Sequence, residues 1–328
     1  MNATLLKRLF RVLQEGTPSD VHTICRRIVE DEKKRGHRQV ARELEEILDA
    51  SKTTAASPSK STGLSSLPTN RRDSAPLLTE VPVEQLRHHM VLPDAVEARF
   101  ARIEKEFAAR TRLARYGLKP RQRILLYGPP GCGKSLGAER LAWNTGLPLR
   151  KVRFDSLLSS YFGETMANLR RVFDAAHETP CALFLDECDT LARTRTARND
   201  VGEVTRITNG LLEMLEDYRG DGLVIAATNL DTELDPALFR RFDEVLKIPL
   251  PGVSEIRRLL ATTLAAIGTQ PNLPIEALAG EMDGMSCSDI VHVAQNAAKI
   301  AVLAGHERVS ESDLRQAMAE AHERHSSH

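Results

Sequence analysis

The run Gly128-Pro129-Pro130-Gly131-Cys132-Gly133-Lys134-Ser135, followed by Leu136, fits the spacing G-x-x-x-x-G-K-[ST], which holds phosphate. Its glycines let successive backbone N–H groups converge on one anion, and a helix starting there adds the partial positive charge of its N-terminus. Lys134 would bring a full charge to the β and γ phosphates of a nucleoside triphosphate, and Ser135 a hydroxyl ligand to Mg2+. Cys132 falls at a variable position and reads as a small filler, not a nucleophile. Downstream, Leu183-Phe184-Leu185-Asp186-Glu187 ends an apolar run in two carboxylates that can divide the labour. Asp186 would hold Mg2+, usually through water, while Glu187 would accept a proton from, or orient, the water attacking the γ-phosphate. Asp189 sits beyond the strand end and is the weaker candidate.

Such groups must sit where strands end. From Arg121 onward, short apolar runs alternate with helical stretches, the pattern of a parallel sheet covered on both faces. The runs are Ile124–Tyr127, Val152–Phe154, Ala182–Leu185, Leu223–Ala227 and Val245–Ile248. The phosphate loop follows the first run and the acidic pair ends the third, at the sheet edge where open α/β folds bind ligands. Pro93-Asp94 opens a long charged helix to about Arg115, which Gly117 ends. After Gly252 only helices are expected, at about 254–267, 275–281, 288–303 and 310–322. The predicted fold class is α/β: a P-loop parallel sheet flanked by helices (αβα), with a C-terminal all-helical lid and a small N-terminal helical module. The expected divisions are a module at 1–50 for client or partner docking, a Ser/Thr/Pro-rich flexible linker at 51–78, a large subdomain at 79–252 and the lid at 253–328. In the module, Thr17-Pro18-Ser19-Asp20 is a strong helix start.

Composition narrows the partners. The 45 basic residues equal the 45 acidic ones, so no overall field draws the chain to nucleic acid or anionic lipid. No run approaches the roughly 18 apolar residues of a membrane span. The N-terminal pattern of Leu5, Leu6, Leu9, Val12 and Leu13 with Lys7, Arg8 and Arg11 reads as the first helix of a bundle rather than a lipid-bound helix. The five cysteines are scattered and lack zinc-ligand spacing, which fits a reducing cytoplasm.

With these residues in hand, the chain resembles the AAA ATPases from about Leu118 to the C-terminus, particularly the branch with proteasomal, katanin-like and FtsH-like members, and among them a small bacterial type. Beyond the two phosphate motifs, the likeness rests on Ala227-Thr228-Asn229, on Leu234–Asp243 and on Tyr161-Phe162-Gly163-Glu164. The resemblance implies ATP hydrolysis with Mg2+, a γ-phosphate-sensing role for Asn229, and Arg240 and Arg241 reaching into a neighbouring subunit's nucleotide. An arginine donated in trans requires a homo-oligomer, by resemblance a hexamer. Tyr161-Phe162-Gly163 matches the loop that lines the central pore in members that thread polypeptide. The sequence departs from the family at Gly284-Met285-Ser286-Cys287-Ser288-Asp289-Ile290, where Cys287 and Ser288 replace a glycine and an alanine that lie near adenine. It departs again at Glu216–Leu223, which stands in place of an intersubunit D-G-F segment.

The resulting expectation is a ring-shaped remodeller or unfoldase acting on a polypeptide client, with a separate, subtilisin-like protease as a potential partner. No H-E-x-x-H protease motif occurs in the chain. Two alternatives stay open: a nucleotide-dependent binding switch or scaffold on a larger complex, and a DNA-associated ATPase.

Overall fold

The computed structural model describes residues 67–70, 75–157, 162–187, 201–229 and 239–326. The expected module at 1–50, most of the expected linker, Tyr161 and Asp189 lie outside the described residues.

Six strands, β1 (Leu78–Val81), β2 (Arg123–Tyr127), β3 (Leu149–Val152), β4 (Ala182–Leu185), β5 (Leu223–Thr228) and β6 (Glu244–Lys247), form one sheet in the order β1-β3-β4-β5-β2-β6. Neighbours from β2 to β6 pair in parallel, and β1 runs antiparallel to β3. The apolar runs are unbroken because both faces are covered. Ile124, Leu126, Phe184 and Ile225 enter one core, while Leu125, Leu183, Leu185 and Val224 enter the other.

Helices α1 (Asp94–Ala108), α2 (Arg110–Ala114), α3 (Lys134–Thr145), α4 (Phe154–Leu157), α5 (Phe162–Glu178) and α6 (Val201–Asp217) accompany the sheet. Phe100, Ile103 and Phe107 of α1 and Leu141 of α3 fill the first core; Leu169 and Val172 of α5 and Leu211 and Leu215 of α6 fill the second. Buried Arg140 clamps α3 to α1, reaching Glu97 at 2.6 Å and Glu104 at 3.1 Å. At the far rim of the sheet, Arg99 donates to Glu244 and, at 2.7 Å, to the carbonyl of Val245 in β6.

Three expectations need correction. The linker does not extend to residue 78: Leu77 and Leu78 are buried and Leu78 opens β1. The second predicted strand is shifted: β3 ends at Val152 and Phe154 starts a helix. Arg150 and Lys151 hid that strand; Arg150 is buried because it pairs with Glu80 at 2.7 Å and donates to the Ala175 carbonyl at 3.0 Å. The long charged helix breaks at Ala109, giving α1 and α2.

The lid comprises α7 (Val253–Thr263), α8 (Ile275–Glu281), α9 (Cys287–Leu303) and α10 (Glu311–Ser326). Its own core includes Ile256, Leu260, Leu278, Ile290, Val293 and Leu314. Ser286 caps α9 reciprocally with Asp289: the Ser286 hydroxyl accepts from the Asp289 N–H at 3.2 Å, and Asp289 accepts from the Ser286 N–H at 3.3 Å. Among the described residues, no helix is long and apolar enough to cross a membrane.

Candidate active site

The strand register gathers the expected groups at one edge. Tyr127 lies opposite Thr228, and Leu185 opposite Ala226, so Gly128 and Asn229 leave adjacent strands level with each other while Asp186 leaves β4 level with Ala227, all at the same edge. Gly128 then turns with φ +142°, and a Cβ there would lie 2.1 Å from the carbonyl oxygen of Ile248, the residue that follows β6, so that backbone excludes any side chain. Gly131 and Gly133 also adopt positive φ, which glycine takes without steric cost. Gly133, the N-cap of α3, has no side chain with which to cap the helix, so it leaves the donors of the first turn to other groups.

Lys134 is buried, and its ammonium donates to the carbonyls of Gly128 at 2.8 Å and Pro129 at 2.7 Å. The Ser135 hydroxyl donates to Asp186 Oδ2 at 2.9 Å, bringing the two proposed cation ligands together. Glu187 has φ +51°, the one positive value at a non-glycine among the described residues, and its N–H donates to Asp186 Oδ1 at 3.1 Å. Such a conformation at a side-chain-bearing residue is uncommon and tends to cluster at active sites. Asn229 follows fully buried Thr228 and is itself half-buried.

The remaining candidates separate. Arg240 is exposed, whereas Arg241 is ion-paired with Glu216 at the end of α6. Phe162 and Gly163 are the first residues of α5 rather than part of a loop, and Tyr161 lies outside the described residues. The segment in place of the expected intersubunit motif serves packing: Tyr218 meets Phe173 edge-on at 6.4 Å and donates to the Ala176 carbonyl at 3.4 Å. Just past the arginines, Asp243 accepts from the N–H groups of Gln122 at 3.0 Å and Arg123 at 2.9 Å, and from the Arg123 guanidinium at 2.6 Å. Burial alone would raise the pKa of its carboxyl, but these hydrogen bonds hold it below the ordinary value.

One relationship escaped the sequence reading. The Gly131 carbonyl of the phosphate loop accepts a hydrogen bond from the N–H of Ser288 in the lid at 3.0 Å. A Cβ on Gly131 would lie 2.4 Å from the Ser288 hydroxyl and 2.6 Å from that of Ser286. Cys132 is buried in the first core, as a small filler is, and its thiol donates to the Pro130 carbonyl at 3.7 Å. This docking also brings it near Cys287. The hydrogen bond from Cys287, helped by the charge of Lys134, lowers the Cys132 pKa to about 7. That same bond and burial push the Cys287 thiol upward. The sequence held one signal, the cysteine standing where the resembling family has glycine.

The donor set fits a triphosphate with a hard cation. Positive-φ glycines, a helix start without a side-chain cap and a buried lysine suit oxygen anions; a hydroxyl joined to a carboxylate suits Mg2+.

Comparison with known proteins agrees. Residues 124–250 match the model for the family described as "ATPase family associated with various cellular activities (AAA)". The chain is also 35% identical, over 319 residues, to the uncharacterized AAA family ATPase y4kL of Sinorhizobium fredii, covering 96% of this chain and 93% of that one.

Proposed function

The chain belongs to the AAA family of ATPases, and from that premise we propose that it is a Mg-ATP hydrolase that assembles into a ring and remodels polypeptide. The observation that carries the hydrolytic part is the Ser135–Asp186 hydrogen bond of 2.9 Å, which unites the phosphate loop with the acidic strand end.

In this reading, the backbone N–H groups from Gly131 to Leu136 and the Lys134 ammonium hold the phosphates, while the peptide units of Pro129, Pro130 and Cys132 shape the loop. Ser135 and Asp186 would hold Mg2+, which when bound would supply positive charge to the phosphates. Glu187 takes the proton of the attacking water on its carboxylate, and Asn229 fixes that water's position. Exposed Arg240 is free to reach an adjoining subunit, and Arg241 assists once released from Glu216.

The polypeptide part rests on Tyr161-Phe162-Gly163, where flat aromatic side chains could grip peptide of varied sequence through apolar contact. The katanin-, proteasome- and FtsH-like branch, a hexameric ring, a docking role for residues 1–50, a linker role for the Ser/Thr/Pro-rich stretch after them, a cytoplasmic location and a separate protease belong to the same proposal.

The test is Tyr161→Ala combined with Phe162→Ala, assayed on a fluorescent β-barrel protein bearing an unstructured tail. ATP turnover should persist while ATP-driven loss of fluorescence disappears. Unfolding at the unsubstituted rate would remove the threading role.

A further inference from the structure

Cys132 and Cys287 belong to different parts of the fold, the phosphate loop and the first residue of lid helix α9. The hydrogen bond from Ser288 N–H to Gly131 O, at 3.0 Å, joins the residues beside them and fixes the seam at which the thiols meet. Cys132 is 1% exposed, while Cys287 is partly open. The Cys132 thiol rests on the Pro130 carbonyl at 3.7 Å, and it must turn from there toward Cys287 to reach the S–S bond length of about 2.04 Å.

We infer that Cys132 and Cys287 form a two-thiol site that hydrogen peroxide converts into an intramolecular disulfide, tying the phosphate loop to the lid.

The chemistry balances. The Cys132 thiolate attacks one peroxide oxygen, the O–O bond breaks, and hydroxide leaves with the electron pair, giving a sulfenic acid on Cys132. The Cys287 sulfur then attacks that sulfur; the S–S bond forms, the S–O bond breaks, and the Cys287 proton leaves with the hydroxyl as water. The proton released when Cys132 ionised neutralises the first hydroxide. Two thiols are oxidised, one peroxide is reduced, and two waters form. Cys132 is the attacking thiol because its neighbour's S–H and the Lys134 charge favour its thiolate. Cys287 resolves the sulfenic acid because it already faces that sulfur.

The bond would hold α9 on Gly131 and stop the lid from moving relative to the loop. That consequence for turnover rests on the nucleotide site proposed above; the bond itself does not.

The experiment uses the full chain, reduced and then exposed to graded hydrogen peroxide, alkylated and digested without reductant. The expected product is a peptide carrying Cys132 joined to one carrying Cys287, lighter than their sum by two hydrogens and released by dithiothreitol. Cys132→Ser and Cys287→Ser should each lack it. ATP turnover of the oxidised chain should fall at least tenfold and return with dithiothreitol, whereas each variant, compared with its own reduced form, should lose this reversible component. Should turnover be absent altogether, the linked peptide still decides the site. Recovery of Cys132 as sulfinic acid with Cys287 still alkylatable, or linkage of either to Cys181, would overturn the inference.

Discussion

Arg241 is ion-paired with Glu216 of its own chain, while Arg240 beside it is exposed. The two adjacent guanidinium groups are therefore not equivalent, and in the proposed ring action on a neighbouring nucleotide would fall first to Arg240. Arg240→Ala should bind ATP yet lower kcat on the order of 10³-fold, the usual scale for an arginine supplied in trans. Arg241→Ala should cost less. Mixing Arg240→Ala with Lys134→Ala subunits should restore turnover, measured as phosphate release; mixtures as slow as either parent would place the arginine's action within one chain.

Lys134 and Glu187 should separate binding from chemistry. Lys134→Ala removes the buried ammonium at the loop carbonyls and should abolish binding of a fluorescent ATP analogue. Glu187→Gln keeps the shape but not the base; it should retain binding and lose about 10²- to 10⁴-fold in kcat. Single-turnover hydrolysis reads the second variant. Full-speed turnover by it would assign the proton to another group.

Asp243 gives a pH prediction. Its folded-state pKa is depressed, so its contribution is present above the unfolded value of about 3.9 and is lost as pH falls through the folded one. Asp243→Asn should destabilise by about 1–3 kcal/mol at pH 7, because the Arg123 guanidinium and two backbone donors lose a charged acceptor. Urea melts at pH 7 and below pH ~4 should show that gap narrowing. A constant gap would mean that charge is not what the position contributes.

Gly131 and Gly128 predict two different defects. A methyl on Gly131 collides with the Ser286 and Ser288 hydroxyls, and φ +72° adds strain, so Gly131→Ala should lift the lid and leave the sheet intact. Hydrogen exchange should rise at the start of α9 and stay unchanged in β2, β4 and β5. Gly128→Ala meets the Ile248 carbonyl instead, so it should disturb the end of β6 and lower the melting temperature. Identical exchange patterns in the two variants would contradict this division.

The sequence was most legible where one physical demand dominated. A strand buried on both faces must be apolar throughout, which made β2, β4 and β5 readable; the phosphate loop was readable because glycines, lysine and serine each meet a separate need. Legibility failed where tertiary partners changed a residue's meaning. Arg150 belongs to a strand because Glu80 and the Ala175 carbonyl satisfy it, and Leu77-Leu78 packs despite polar, proline-rich surroundings. The Cys132–Cys287 contact was out of reach, since no local pattern reports where a distant helix will dock.

The two rims of the sheet bear on how copies of this chain can crowd together. One rim is the four-residue β1, and on the other the Val245 carbonyl already receives Arg99. Neither offers a long row of vacant main-chain groups for a stranger's strand to zip onto. Copies crowded side by side are thus steered away from fibrous stacking.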